Sequence, residues 1–202
     1  MNSYNSILVL ESPWEDNKIE SFSSWPFISE FGKIYNIKTF YKMFYDLESL
    51  KHWINIYNKE SKDDKKLLYI ASHGENGRIN GLKKSINVAS IVDVLRYCKN
   101  IQFIHFSTCL TGNYDNLEYI MDVCKHIRFA SGYSNVVDWI DSGAFDLMFL
   151  QKLLYWNKAK DFNSDLEFGS LIEFMHVLGF QGIFRKKFSK KLIYFPGDFE
   201  ES

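Results

Sequence analysis

Apolar runs and segments of helical periodicity alternate along almost the whole chain. Six short segments rich in apolar, β-branched and aromatic residues predict strands at 6–11, 33–43, 66–72, 101–109, 127–135 and 191–196. The third of these, KLLYIAS, is almost uninterruptedly apolar, which is typical of a strand covered on both faces of a parallel sheet. The chain therefore supplies strands for a sheet with a buried centre.

Between these strands, apolar residues recur at spacings of three and four. The pattern predicts helices over 47–60, 87–100, 116–126 and 142–157, over part of 19–32, where Pro26 interrupts it, and over at least the first half of 170–188. Asp46 is suited to cap the first of these helices, and the two Asn-Gly pairs in 75–84 predict a small hairpin. Strands that alternate with helices indicate an α/β sandwich with a mainly parallel sheet, and no linker divides 1–202 into separate domains.

Charge and composition exclude several classes of protein. The formal net charge of -1 and pI of about 6.5 give no electrostatic footprint for nucleic acid. The apolar runs are too short for a membrane helix or a signal peptide, so the expected location is the cytoplasm, away from membranes. Three cysteines are an odd number, which favours reduced thiols over a disulfide framework.

Two predicted strands end in residues capable of chemistry. One ends at Ser72-His73-Gly74 and the next at Ser107-Thr108-Cys109. A hairpin and a helix separate the two strands, so a right-handed crossover would place them side by side, with their carboxyl ends at one rim of the sheet. The sequence therefore predicts that His73 and Cys109 lie near each other.

A histidine beside a cysteine suits nucleophilic catalysis. The imidazole of His73 can take the proton of the Cys109 thiol, and the resulting thiolate is a strong nucleophile. Backbone amides stabilise a developing oxyanion well when they are held in place, and those of Gly74 and Cys109 are the candidates. This chemistry requires no metal and no organic cofactor.

The two motifs resemble those of a known family. ASHGENGRINGL followed by IQFIHFSTCLTGN is similar to the caspase-like cysteine peptidases of clan CD, above all to their CHAT-domain branch. In that branch one strand ends in His-Gly, a hairpin and a helix follow, and the next strand ends in Ser-x-Cys-x-Thr-Gly. The resemblance covers roughly Leu67 to Leu154 and includes a later strand, aspartate-bearing loop and helix.

The resemblance implies a caspase-like three-layer sandwich, with a central sheet of about six strands flanked by helices. It implies a cysteine endopeptidase that hydrolyses protein or peptide substrates in a regulated signalling or defence setting. His73 matches the family's catalytic histidine, Cys109 its nucleophile and Gly74 its oxyanion-hole glycine. A regulatory protein partner, and an alternative role as a catalytically silent or partner-gated interaction module, are both consistent with such domains.

Three residues are candidates for binding the substrate. Asp141 matches the family's loop aspartate, Asp138 is its rival, and Ser107 stands where metacaspases carry an aspartate that helps to bind a basic residue. A carboxylate at the rim could pair with a substrate Arg or Lys. The alternative for Asp141 and Asp138 is helix capping, which is the favoured interpretation for Asp138.

The remaining cysteines and histidines have simpler interpretations. Cys98 and Cys124 lie on apolar helix faces, which indicates core packing, and His105 lies within a strand, as expected of a core histidine. No Cys/His spacing resembles a zinc site, so no metal is expected. The chain also lacks the Gly-x-Ser-x-Gly motif of serine α/β hydrolases.

Overall fold

A sheet of seven strands lies at the centre of the computed structural model, which describes residues 2–14, 22–61, 65–82, 84–155, 166–186 and 191–196. In chain order its strands are β1 (Ser6–Glu11), β2 (Lys38–Met43), β3 (Lys66–Ala71), β7 (Ile101–Ser107), β8 (Phe129–Tyr133), β9 (Phe180–Arg185) and β10 (Leu192–Phe195). Their order across the sheet is β10-β9-β8-β7-β3-β1-β2. The five strands from β2 to β8 run parallel, and β9 pairs antiparallel with both β8 and β10.

Helices cover both faces of this sheet. Their bounds are α1 (Trp25–Tyr35), α2 (Leu47–Lys59), α3 (Val88–Leu95), α4 (Tyr114–Val123), α5 (Trp139–Tyr155) and α6 (Leu166–Leu178). Apolar residues of α1, α5 and α6 form one core against the sheet, and those of α2, α3 and α4 form a second core on the other face. The predicted α/β three-layer sandwich with a mainly parallel sheet is confirmed.

Burial explains which apolar runs became central strands. Every residue of β1, β3 and β8 is buried, whereas β2, at the edge of the sheet, is partly exposed along its length. The predicted count of about six strands missed β9. Its residues continue the apolar pattern of α6, and Gly179, with φ of 62°, is the point where the chain leaves the helix and enters the strand.

Two local predictions are corrected near the start of the chain. Pro26 does not interrupt a helix: it lies in the first turn of α1, where its missing N–H costs no hydrogen bond. The predicted strand over 33–43 begins only at Lys38, because α1 continues to Tyr35 and ends at Asn36 in the left-handed conformation. Asp46 caps α2 as predicted, in a reciprocal capping box with Ser49.

A small three-stranded sheet follows β3. Strands β4 (Gly74–Glu75) and β5 (Arg78–Asn80) form the predicted hairpin, and β6 (Ser85–Asn87) pairs with β5 on its other side. Asn76 and Gly77 both have positive φ, as a tight two-residue hairpin turn requires. The first strand of this small sheet begins at Gly74, the residue immediately after His73.

A buried carboxylate lies within the core of α5 and the sheet. Asp146 is fully buried and accepts hydrogen bonds from Tyr69 Oη (2.6 Å), Ser107 Oγ (2.8 Å) and Tyr133 Oη. Its Oδ1 lies 2.9 Å from Nε2 of His105, which is also buried. Burial by itself would raise the pKa of Asp146, but the ion pair with His105 and the hydrogen bonds outweigh it and hold that pKa below its ordinary value.

This carboxylate ties the end of β7 to α5. Tyr69 and Tyr133 are fully buried, and burial together with the Asp146 charge raises the pKa of both phenols, so they remain donors. His105 is the core histidine expected from the sequence, with its other ring nitrogen 2.9 Å from Ser131 Oγ. Three strands and one helix therefore meet at a single charged group.

We expect Asp146→Ala to lower the free energy of unfolding by about 3–5 kcal/mol. The substitution removes the carboxylate that accepts from the Tyr69, Ser107 and Tyr133 hydroxyls and lies beside the buried His105. Urea denaturation measures this change. Because the native pKa of Asp146 lies below its ordinary 3.8, the unfolded chain takes up the proton first. The stabilisation is therefore present above about pH 4 and is lost as the pH falls.

The matched control is Asp122→Ala, which removes an exposed carboxylate that pairs with the exposed Lys125 and should change stability by less than about 0.5 kcal/mol. Equal, small effects of the two substitutions would contradict a supporting role for the buried carboxylate.

Candidate active site

The pairing of β3 with β7 brings His73 and Cys109 to one cavity. The last paired residues of these parallel strands are Ala71 and Ser107, and His73 and Cys109 each lie two positions beyond them. Both side chains line a cavity of about 260 Å³ at the carboxyl edge of the sheet. The predicted proximity of the two segments is therefore present in the structure, while their catalytic roles stay predictions.

Residues from four parts of the chain surround this cavity. The connection between β1 and α1 supplies Trp14 and Phe22. The end of the loop before α5 supplies Val137 and Asp138, and Trp139 is the first residue of that helix. The other lining residues are Ser72, His73, Ser107, Thr108, Cys109 and Ser142. The lining combines aromatic rings with small hydroxyl residues, including those next to the cysteine.

A backbone carbonyl holds the imidazole of His73. Nε2 lies 2.8 Å from the carbonyl oxygen of Trp14, and the Trp14 ring meets the imidazole edge-on with centroids 5.1 Å apart. A carbonyl oxygen can only accept a hydrogen bond, so Nε2 carries the proton. In the neutral ring Nδ1 is then the nitrogen that can accept a proton.

A buried glutamate organises the segment that supplies this carbonyl. Glu11, at the end of β1, is 2% exposed and accepts four hydrogen bonds. The donors are Trp14 Nε1 (3.1 Å), Ser23 Oγ (2.6 Å), Ser24 N (2.8 Å) and Tyr41 Oη (3.1 Å). Burial and the Glu11 charge raise the pKa of Tyr41 to about 12, which keeps that phenol a donor.

The sequence interpretation missed both Glu11 and Trp14. The available signal was a carboxylate at the end of an otherwise apolar strand, since a charge at such a position needs several donors around it. Through Trp14, Glu11 fixes the hydrogen bond that orients His73, so we describe it as a positioning residue.

Cys109 differs from the other two cysteines in its surroundings. It is partly exposed, and its Sγ lies 3.4 Å from the backbone N of Val137, whose N–H donates toward the sulfur. Such a donor stabilises a negatively charged sulfur. Cys98 and Cys124 are buried as predicted, and burial raises the pKa of each thiol to about 11.

Only a glycine fits at position 74. A Cβ built there would lie 2.0 Å from the carbonyl oxygen and 3.0 Å from the nitrogen of Cys109, both of them backbone atoms. The backbones of Gly74 and Cys109 therefore lie too close together for any side chain at position 74. Leu110, immediately after Cys109, has φ of 57°, which turns the chain sharply away from the nucleophile position.

The three candidate substrate-binding residues have different surroundings. Asp138 lines the cavity, but its Oδ1 accepts from the backbone N of Ile140 (2.7 Å) and Asp141 (3.3 Å), which is the capping arrangement favoured from the sequence. Asp141 is exposed in the first turn of α5 and does not line the cavity. Ser107 lines it, with its hydroxyl donated to Asp146.

Within the described ranges, no group of three or more His, Cys, Asp or Glu side chains is arranged to hold a metal ion. No helix in that part of the chain is both long and apolar enough to cross a membrane.

Comparison with known proteins gives matches of structure alone. No protein-family model and no curated protein sequence matches the chain. It is similar to the crystal structure of a secreted C11 cysteine protease from Bacteroides thetaiotaomicron, with 12% identity and a TM-score of 0.48 over 66% of this chain and 53% of that one.

A second crystal structure, of a secreted C11 cysteine protease from the same organism in complex with an irreversible peptide inhibitor, has 10% identity and a TM-score of 0.42. That match covers 65% of this chain and 49% of the other. The chain thus spans about half the length of the solved structures it matches. Identities and TM-scores this low assign no activity to it.

We expect iodoacetamide to alkylate Cys109 at least tenfold faster than Cys98 or Cys124 in the folded chain. At pH 8 a thiol with a pKa of 11 is ionised only to about one part in a thousand, and both of those side chains are also buried. Peptide mapping by mass spectrometry measures the three rates.

His73→Ala should slow the labelling of Cys109 and leave the other two rates unchanged, whereas the exposed His52→Ala serves as the matched control. Similar rates at all three cysteines would show that the cavity does not activate Cys109.

Proposed function

We propose that this chain is a cysteine endopeptidase in which His73 and Cys109 form the catalytic pair. The observation that carries the proposal is their shared cavity, where a proton on His73 Nε2, fixed by the carbonyl of Trp14, leaves Nδ1 as the base. The chain's resemblance to caspase-like peptidases also favours this activity. The CHAT-domain branch, a single domain, a cytoplasmic location and a regulatory partner remain predictions from the sequence.

In the first step, Sγ of Cys109 attacks the carbonyl carbon of the peptide bond. His73 accepts the thiol proton, a C–S bond forms, and the carbonyl oxygen becomes an oxyanion. As this tetrahedral intermediate collapses, the C–N bond breaks and the imidazolium of His73 gives its proton to the departing amine. The product is a thioester on Cys109 and a free amino terminus.

In the second step, water resolves the thioester. His73, neutral again, takes a proton from the water as its oxygen attacks the acyl carbon. The C–S bond then breaks, the carboxylic acid leaves, and the proton returns to the cysteine and histidine pair. The overall reaction consumes one peptide bond and one water molecule.

Two features of the cavity support this sequence of steps. The N–H of Val137 stabilises the sulfur as an anion before attack and after release. The direct contact between the backbones of Gly74 and Cys109 favours a pair of amides that bind the same oxyanion, an interaction that typically contributes 10²–10³-fold in rate for one donor.

The proposal predicts cleavage of a denatured protein such as casein by the purified chain, measured as new amino termini by mass spectrometry. Cys109→Ala should abolish cleavage because it removes the thiol that forms the proposed acyl intermediate. His73→Ala should lower the rate by about 10²–10⁴-fold, which is the usual contribution of a general acid and base.

His52→Ala is the control for loss of an exposed histidine and should retain full activity. Cleavage that survives Cys109→Ala would assign the activity to another group or a contaminant. Absence of any cleavage by the folded wild-type chain would contradict the proposed function and favour the interaction-module alternative.

A further inference from the structure

We propose that the cavity beside Cys109 takes an apolar, preferably aromatic, side chain from the residue on the amino side of the cleaved bond. The inference rests on the proposed peptidase function and names its substrate class. It differs from the basic residue that a carboxylate at Asp138 or Asp141 would select.

Aromatic rings form one wall of the cavity. Trp14, Phe22 and Trp139 line it together with Val137, and the rings of Phe22 and Trp139 lie 5.2 Å apart. Phe27 packs on Trp139 at 5.4 Å, so this wall has support from α1. At about 260 Å³, the cavity suits one large side chain of a peptide better than a drug-sized ligand.

Three serine hydroxyls that line the cavity already donate their protons within the protein. Ser107 donates to Asp146, Ser72 to the carbonyl of His73, and Ser142 to the carbonyl of Trp139. The nearby Asp146 carboxylate is fully buried and saturated by its four partners. Beside these residues a substrate cation would therefore find no free carboxylate to replace its water.

Asp138 also lines the cavity, and its carboxylate already accepts hydrogen bonds from backbone amides. The residue is exposed, and one of its oxygens holds the first backbone amides of α5. Aromatic faces attract a cation by about 0.5–1 kcal/mol where water reaches it. Full burial of a Phe- or Leu-sized side chain is worth about 1.5–3 kcal/mol and removes no charge from water. The free energy gained by burying an apolar side chain exceeds the attraction of the rings for a cation, so the cavity favours an apolar side chain.

Thr108 points to a peptide as the ligand. It lines the cavity, is 2% exposed, and its Oγ1 has no hydrogen-bond partner among the described residues. Buried hydroxyls are nearly always paired, so an unpaired one beside the nucleophile suits a polar group brought by the ligand. The main chain of a bound peptide offers such a group directly next to its apolar side chain.

The test uses three peptidyl acyloxymethyl ketones that differ only in the residue next to the ketone, which is Phe, Lys or Asp. Attack by Sγ of Cys109 forms a C–S bond at the methylene carbon and expels the carboxylate, so labelling reports recognition without turnover. Second-order rate constants are measured by intact mass and peptide mapping. We expect the rate constant for the Phe compound to be at least about tenfold higher than those for the Lys and Asp compounds.

Two variants assign the selectivity to the cavity. Trp139→Ala should bring the ratio of the Phe and Lys rates close to one. Because both rates are measured on the same variant, a change in the reactivity of Cys109 itself cancels in this ratio. Asp138→Asn keeps a good capping residue, and the Phe compound should still label Cys109 faster than the Lys compound.

The outcomes separate this inference from the proposed function. Equal or faster labelling by the Lys compound, lost in Asp138→Asn, would overturn the apolar cavity and leave the peptidase intact. Labelling of Cys109 by iodoacetamide but by none of the three ketones would overturn both. Phe selectivity that disappears in Trp139→Ala supports the inference.

Discussion

The parallel pairing of β3 with β7 is the constraint on which the candidate site depends. It lies near the middle of the seven-stranded sheet, with both strands almost completely buried. Because side chains alternate between the faces of a sheet, a slip of one residue would move the apolar side chains of either strand to the wrong core. The two cores therefore fix the register that sets His73 beside the segment carrying Cys109.

Two buried carboxylates hold the segments that line the cavity in place. Asp146 holds the end of β7 through Ser107, and Glu11 holds the segment whose carbonyl orients His73. Each has four polar partners, which is what makes a buried charge tolerable and what makes its surroundings rigid. Loops carry the reacting groups, but two buried carboxylates anchor them, one in β1 and one in α5.

The sequence predicted the parts of this arrangement that depend on local pattern. Apolar periodicity located most of the strands and helices, and the capping role of Asp138 followed from its position before α5. The strand β9 was missed because its apolar run is continuous with α6 and only Gly179 separates them. Burial of Cys98 and Cys124 followed from the helical faces on which they lie.

Hydrogen bonds between residues far apart in the sequence could not be predicted from local pattern. The hydrogen bond from His73 to Trp14 joins residues 59 positions apart, and the one from Tyr69 to Asp146 joins residues 77 apart. No local pattern encodes such contacts. Asp141 was the favoured family match but lies outside the cavity, because the first turn of α5 directs that position to solvent.

The central claim is that this chain by itself assembles a nucleophilic Cys109 with His73 as its proton carrier. A crystal structure of the chain after reaction with the Phe-containing ketone tests it most directly. The account predicts a C–S bond at Cys109, the ketone oxygen within hydrogen-bond distance of the amides of Gly74 and Cys109, and His73 Nε2 still bound to the carbonyl of Trp14. An adduct on another residue, or a Cys109 adduct with its ketone oxygen facing solvent and His73 turned away, would contradict it.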